Sequence, residues 1–167
     1  ASVAMAKLVE RAGASAIIAE GGESGGHVGD TSTMALVPQV CDAVSVPVIA
    51  AGGIADGRGI AAAFMLGAAG VQVGTRFLLA DECSVHENYK AKLLKATDIS
   101  TIVTGKRLGH PVRSLKTPFS KNYAKAEYST ISDDDLENLA VGALRLAVKD
   151  GDEKKGCFLA GQIAGML

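Results

Sequence analysis

Three short and almost wholly apolar runs alternate with helical patterns in the first 80 residues. The runs cover residues 16–19, 48–51 and 71–73, and one helical pattern separates each run from the next. Runs of this length without polar alternation are typical of strands that are buried on both faces in a parallel sheet. The rhythm therefore predicts an α/β fold that is built from βαβ units.

The pattern changes after residue 80. Residues 81–130 are polar and weakly periodic, so we predict loops and short helices that act as a lid or insert. Ser132 is a predicted N-cap, followed by an amphipathic helix that runs to Lys149, and residues 157–167 are predicted to form a last helix. The predicted segments are thus βα units over 1–80, the lid or insert over 81–130, and C-terminal helices over 131–167.

Three parallel strands are too few for a closed fold. A TIM (β/α)8 barrel needs eight strands and about 250 residues, and an open three-stranded parallel sheet would leave long apolar edges. The sequence also opens inside a helical pattern. We therefore expect the C-terminal part of a TIM barrel plus a C-terminal helical segment, with the N-terminal half elsewhere.

The amino-acid composition limits the kinds of partner that we expect the protein to bind. The hydrophobic content is 48% and the formal net charge is -1, which gives no electrostatic reason to expect nucleic acid or an anionic membrane. No apolar run is long enough to cross a bilayer, and no secretory signal opens the sequence. The three cysteines form no CxxC pair, so we expect no disulfide framework, no zinc site and a cytoplasmic location.

A glycine-rich loop with one histidine follows the first strand. The loop reads EGGESGGHVG over residues 20–29, and Gly25 and Gly26 precede His27. Ligands bind at the C-terminal ends of parallel strands, and a histidine flanked by glycines is available there for proton transfer. An ordinary solvent-exposed loop histidine is the alternative interpretation.

Glycines also follow the second and third strands. Gly52 and Gly53 end one strand, and the run from Gln72 through Val73 and Gly74 to Thr75 ends the other. Two neighbouring turns of this kind can direct backbone N–H groups, and the Thr75 hydroxyl, at one phosphate. Glycines are common in tight turns, so one such turn alone would be weak evidence. Neither turn matches GxGxxG or a Walker loop, which disfavours those classes.

Other polar residues carry weaker signals. Glu20 and Glu23 could form an acid pair, but no third ligand indicates a metal site. His86 and His110 stand alone in polar stretches, and we assign them surface or supporting roles. A basic cluster is either a solvated face or a contact for an acidic carrier protein or a cofactor phosphate. The cluster consists of Lys106, Arg107, Arg113 and Lys116.

Six segments together resemble a known family. They are AEG at 19–21, ESGGHVG at 23–29, PVIAAGGIADG at 47–57, VQVGTRF at 71–77, GHPVR at 109–113 and AGQIAG at 160–165. In this order they are similar to the FMN-dependent enoyl-acyl-carrier-protein reductase II (the FabK type), of the nitronate monooxygenase (2-nitropropane dioxygenase) superfamily.

The resemblance implies an FMN enzyme that uses NADH or NADPH as co-substrate to reduce the C=C bond of an enoyl thioester. It implies His27 as the catalytic residue. The flavin contacts that it implies are Glu20, Gly25, Gly26, Gly52, Gly53, Gln72, Val73, Gly74 and Thr75. The substrate would be linked to acyl carrier protein or be a small molecule, and we expect a homo-oligomer or association with the missing half.

Two alternatives stay open. Nitronate monooxygenases share the Gly-Gly-His motif and both phosphate turns, although that branch commonly has Gln at the position of Glu20. A non-catalytic module that binds a phosphate ligand is the other alternative. Glu20, the GHPVR segment and the AGQIAG segment favour the reductase.

Overall fold

A computed structural model of the protein describes residues 2–167 and divides them into two units. The parallel unit comprises the residues up to Ser24 together with Val28–Gly74, and the antiparallel unit comprises Gly25–His27 together with Thr75–Leu167. The chain leaves the parallel unit at Gly74 rather than at residue 80, and 81–130 and 131–167 lie in one unit. The structure thus groups the chain differently from the three predicted segments.

Six strands and seven α-helices are assigned in the described residues. The strands are β1 (Ile17–Glu20), β2 (Gly26–His27), β3 (Val48–Ala51), β4 (Gly70–Gln72), β5 (Thr101–Thr104) and β6 (Val112–Leu115). The helices are α1 (Val3–Arg11), α2 (Thr33–Cys41), α3 (Gly57–Met65), α4 (Glu87–Leu94), α5 (Pro118–Glu127), α6 (Asp133–Asn138) and α7 (Ala143–Arg145). Within residues 2–167 no helix has both the length and the apolar character needed to cross a bilayer.

The parallel unit is a three-stranded sheet covered by helices. Its strand order is β1-β3-β4 with all pairs parallel, which confirms the predicted βαβ rhythm. Helix α2 packs on β1 and β3, and α3 packs on β4. The core is made of small and branched side chains; Val37 and Ala50 are fully buried. Small residues in the strands let the helices approach the sheet closely.

The prediction that all three runs are buried on both faces is wrong for β1 and for β4, in which Gly70 and Val71 are only partly buried and Gln72 is exposed. Ile17 and Ala19 are buried, but the Ile18 side chain between them is 52% exposed. Strand side chains alternate between faces, so one face of β1 meets the helices and the other lies open in this chain.

The prediction of only loops and short helices for 81–130 is also wrong. Strands β5 and β6 form an antiparallel hairpin, and β2 pairs with the other edge of β6, which gives the order β2-β6-β5. The β5 sequence TIVT is mostly β-branched and therefore suits a strand. Three of its four residues are only partly buried and the buried one, Thr104, is polar, so no clean alternation of apolar and polar positions shows in the sequence.

The predicted helix from Ser132 to Lys149 is interrupted. Ser132 does cap α6, because its side chain accepts a hydrogen bond from the Asp135 amide. Gly142 then adopts a left-handed φ of 74°, which ends one helical segment before α7 begins. A π-helical turn over Leu146–Asp150 follows, and the chain closes with a 3-10 helix over Gln162–Met166 instead of an α-helix.

The core of the antiparallel unit is built around an aromatic pair. Tyr89 and Phe158 are buried with ring centroids 4.9 Å apart, and the Tyr89 hydroxyl donates a 2.6 Å hydrogen bond to the Leu159 carbonyl. Burial raises the pKa of Tyr89 far above its ordinary value. Leu93 and Ala147 fill the space beside the rings. This core fixes helix α4 and the segment around residue 158 that supports β6.

Candidate functional site

The strands of the parallel unit end side by side. Glu20, Ala51 and Gln72 are register partners across β1, β3 and β4, so they form one row at the C-terminal edge of the sheet. The turn at Gly52 and Gly53 therefore lies next to the residues that follow Gln72. The structure thus brings together the two strand ends from which we predicted a phosphate site.

The turn residues leave backbone donors available. Gly52 and Gly53 have φ values of 89° and 72°, a conformation that favours glycine. Gly53 and Gly74 are exposed, and among residues 2–167 the amides of both donate to no protein acceptor. A Cβ placed on Gly74 would meet nothing within 4 Å. The side chain of Glu23 lies against Gly53. Open space at Gly74 and free N–H groups at both strand ends fit an anionic phosphate.

Thr75 begins the antiparallel unit and has a partner within it. Its Oγ1 accepts a 2.9 Å hydrogen bond from the Gly161 amide, at the start of a 3-10 helix over Thr75–Leu79. The hydroxyl hydrogen is still available to donate. A role for Thr75 at a phosphate stays a prediction, and the structure adds a role in holding the AGQIAG segment.

Glu23 has a structural partner that the sequence did not reveal. Its carboxylate accepts hydrogen bonds from the Thr33 amide at 2.9 Å and the Thr33 hydroxyl at 2.8 Å. Thr33 is the first residue of α2, and the preceding Ser32 makes no side-chain cap. A carboxylate at this end also interacts favourably with the helix dipole. Glu23 thus caps α2 from ten positions upstream, and nothing pairs it with Glu20 as a catalytic acid.

Replacing Glu23 by alanine is expected to lower the free energy of unfolding by about 1–2 kcal/mol, because α2 loses its capping acceptor. Urea unfolding followed by circular dichroism measures this loss. Glu82→Ala is the matched control, since Glu82 is exposed and forms no salt bridge within residues 2–167. Equal stabilities for the two variants would show that Glu23 does not act as a cap.

Gly25 and Gly26 each have a structural reason to be glycine. A Cβ on Gly25 would lie 2.6 Å from both the Ala160 carbonyl carbon and the Gly161 nitrogen. Gly26 has a φ of 81° and pairs with Arg113 of β6. The loop that we predicted after β1 therefore contains a two-residue strand, and the flavin contacts implied for these glycines stay predictions.

The strand β2 places His27 on the wall of a cavity in the antiparallel unit. His27 pairs with Val112, which in turn pairs with Thr104, so these three residues form one row across the sheet. All three line a cavity of about 350 Å³. Its apolar wall comprises Leu108, Phe119, Tyr123, Ala140, Leu144 and Leu159. An exposed imidazole beside an apolar cavity can bind the polar end of an otherwise apolar ligand.

Sequence reasoning missed several polar residues of this cavity. His110 and Glu137 line it together with His27; His110 is exposed, in agreement with the surface role predicted for it, but its place beside the cavity was not predicted. The position of His110 in the GHPVR segment was the available signal. Cys157 also lines the cavity; burial raises the pKa of its thiol, although a side-chain hydrogen bond with Ser114 opposes that effect. A protonated thiol is a poor nucleophile.

Two members of the basic cluster have protein partners. The Arg107 guanidinium donates to the Ile131 carbonyl at 2.7 Å and lies 2.8 Å from the Asp133 carboxylate. Arg113 donates to the Thr101 hydroxyl at 3.2 Å. Arg107 is exposed and Arg113 is partly buried, so the interpretation as a solvated face stays open, and the structure adds that the two arginines hold the segment before α6 and the β5–β6 hairpin.

His86 has a capping role. Its Nδ1 accepts a 3.1 Å hydrogen bond from the Asn88 amide at the start of α4. The assignment of His86 to a supporting role agrees with this contact. His86 does not line the cavity that contains the other two histidines, which makes it a useful internal reference.

Comparison with known proteins places the chain in a family. A family model described as nitronate monooxygenase matches residues 1–167. A probable nitronate monooxygenase of Staphylococcus saprophyticus is 40% identical over 156 residues, which cover 86% of this chain and 43% of that protein. A (3aS,4S,5R,7aS)-5-hydroxy-7a-methyl-1-oxo-octahydro-1H-indene-4-carboxyl-CoA dehydrogenase of Rhodococcus jostii is 51% identical over 112 residues, or 67% of this chain and 32% of that protein.

A solved structure matches over the full chain. FabK from Thermotoga maritima is 53% identical with a TM-score of 0.96, covering 100% of this chain and 53% of that one. The likeness confirms the predicted fold class, part of a TIM barrel. The chain spans less than half of the two curated relatives and about half of FabK. Because the family model matches the whole chain, the chain belongs to the nitronate monooxygenase family.

Proposed function

We propose that this chain is part of an FMN-dependent oxidoreductase that uses NADH or NADPH to reduce the C=C bond of an enoyl thioester. The observation that carries the proposal is the cavity of about 350 Å³, mostly apolar, with the His27 imidazole on its wall. Likeness to FabK over the whole of this chain and 53% of FabK, at 53% identity, supports the same class. The Rhodococcus relative is named for a carboxyl-CoA compound, which is also a thioester.

The strand ends of the parallel unit supply a fitting site for the FMN phosphate. The exposed amides at Gly53 and Gly74 would hold it, with Gly52 and Val73 shaping the two turns. Glu20 and Gln72, in the last row of the sheet, lie at the same edge and could contact the rest of the cofactor. When bound, FMN supplies two-electron transfer as hydride.

His27 is suited to the acid–base part of the reaction. Reduction of an enoyl thioester develops negative charge on the thioester oxygen and requires a proton at the α-carbon. An imidazole on exposed backbone can donate a hydrogen bond to that oxygen or deliver that proton. Its place on β2, paired with Val112, fixes the backbone from which it acts.

The cavity suits an acyl chain of modest length. Pockets that enclose small organic ligands measure roughly 300–1,000 Å³, so this cavity lies near the lower limit. Aliphatic and aromatic side chains make up most of its wall, and an alkyl chain would lose no hydrogen bonds on entering. A charged ligand would gain little from such a wall.

Oxidation of alkyl nitronates with FMN and oxygen is the second candidate. The nitronate monooxygenase description of the family model and the Staphylococcus relative favour it. The same imidazole could then hold a nitronate oxygen. This chemistry needs oxygen as co-reactant and no nicotinamide, which makes the two candidates separable.

Because the chain spans about half of FabK, the assay uses it together with the half of the barrel that it does not cover, supplemented with FMN. This assembly should consume NADH or NADPH when given crotonyl-CoA under anaerobic conditions, and its oxygen uptake with propyl-2-nitronate should be no higher than that of FMN alone. Oxygen uptake with the nitronate and no nicotinamide oxidation with crotonyl-CoA would favour the second candidate. Failure of the assembly to bind FMN, read from the flavin absorbance after gel filtration, would contradict both.

A further inference from the structure

The second histidine of the cavity has no role in the function proposed above. His110 lies between β5 and β6, at the end of a turn that begins at Gly105. It lines the same cavity as His27. An imidazole in a mostly apolar cavity is costly to leave without a polar partner when a ligand displaces water.

The cavity brings both imidazoles to one site. His27 is directly opposite Val112, and His110 lies two positions before Val112, in the segment that leads into β6. Both histidines line the same cavity of about 350 Å³, together with Val112. A ligand in this cavity therefore has two imidazoles on its wall.

The turn that carries His110 is held rigidly. The buried Glu127 carboxylate accepts hydrogen bonds from the Gly105 amide at 3.1 Å and the Arg107 amide at 2.8 Å. The His110 amide donates to the Gly105 carbonyl at 3.1 Å. Gly105 and Gly109 both have left-handed φ values, 82° and 75°. A buried carboxylate thus fixes the position of an exposed turn, which indicates that this position is important for the cavity that His110 lines.

We propose that His110 is a second substrate-contacting residue, which donates a hydrogen bond to the carbonyl oxygen of the thioester that His27 faces. This inference rests on the proposed function, because it takes an acyl thioester as the ligand of the cavity. Two imidazole donors would orient the carbonyl and stabilise the charge that develops on its oxygen. No bond is made or broken at His110.

The test uses butyryl-CoA, a saturated thioester that cannot be reduced, added to the FMN-supplemented full chain without nicotinamide. The chain has three histidines, so each ring C–H signal can be assigned by substitution and followed by NMR. The signals of His27 and His110 should shift with the same saturation curve. The signal of His86, which caps α4, should stay unchanged.

Substitution adds an affinity measurement. His110→Leu should weaken butyryl-CoA binding about three- to tenfold, the range expected for one lost hydrogen bond. His110→Gln, which retains an N–H donor, should restore most of the affinity. A matched His86→Gln variant should bind butyryl-CoA as the unsubstituted chain does.

The outcomes separate this inference from the proposed function. A shift at His27 without one at His110, or a shift of equal size at His86, would overturn the inference alone. No shift at any histidine would overturn the thioester as ligand and hence both. Shifts at His27 and His110 together with failure to reduce crotonyl-CoA would leave the contact standing and remove the proposed reaction.

Discussion

Gly25→Ala is expected to destabilise the antiparallel unit by about 3 kcal/mol, a large effect for the addition of one methyl group. The new Cβ would lie 2.6 Å from the Ala160 carbonyl carbon and the Gly161 nitrogen, which are backbone atoms. Backbone cannot rotate away as a flexible side chain can. The strand β2 or the 160–161 segment must therefore move; β2 lines the cavity that contains His27, and so does Leu159, which precedes that segment.

Urea unfolding without FMN measures this loss independently of any cofactor. Gly74→Ala is the matched control, because its Cβ would meet nothing within 4 Å and its φ lies outside the left-handed region. Its stability should stay within about 0.5 kcal/mol of the unsubstituted chain. If Gly25→Ala proved equally harmless, a packing role for Gly25 would be excluded, and the implied flavin contact would be its remaining explanation.

The parallel unit could be predicted from the sequence because its signals are local. Each strand is a continuous apolar run, and the glycines that follow it mark the strand end. Parallel strands share one C-terminal edge, so the neighbourhood of Gly53 and Gly74 followed from the βαβ rhythm alone. The exposed Ile18 could not be predicted, since exposure of a strand face depends on what packs there and not on the strand itself.

The antiparallel unit was largely missed because its pairing is long-range. The strand β2 has only two residues and pairs with β6, which lies far along the chain. No periodic pattern in the sequence therefore predicts it. The break at Gly142 interrupts an apolar pattern that continues on both sides. Periodicity cannot distinguish a glycine tolerated inside a helix from one that ends it.

Within the candidate site, the type of a residue predicted where the residue lies better than it predicted what the residue does. Glycines that looked alike in the sequence serve different purposes: Gly25 permits close packing, Gly52 permits a left-handed turn, and Gly74 leaves open space. Likewise Glu23, interpreted from the sequence as one half of a possible acid pair with Glu20, caps helix α2. His110 could be placed in the cavity only after the register of β2 and β6 was known.

His27→Ala should lower kcat/KM for crotonyl-CoA reduction by about 10²- to 10⁴-fold, the range for loss of one acid–base group. The fold should be unaffected, because the His27 side chain is exposed and forms no hydrogen bond with any residue in 2–167. FMN retention should also be unchanged, since the phosphate is assigned to the strand ends of the parallel unit. The substitution should therefore lower kcat/KM and leave stability and FMN retention unchanged.

His86→Ala is the control, because it should lower stability and leave activity nearly unchanged. It removes the acceptor for the Asn88 amide and should lower stability by about 1 kcal/mol, while kcat/KM changes less than twofold. Steady-state assays together with urea unfolding of both variants give the comparison. If His27→Ala kept full activity, the imidazole would be an ordinary exposed loop histidine, and the acid–base role would have to move to another polar group of the cavity, His110 or Glu137.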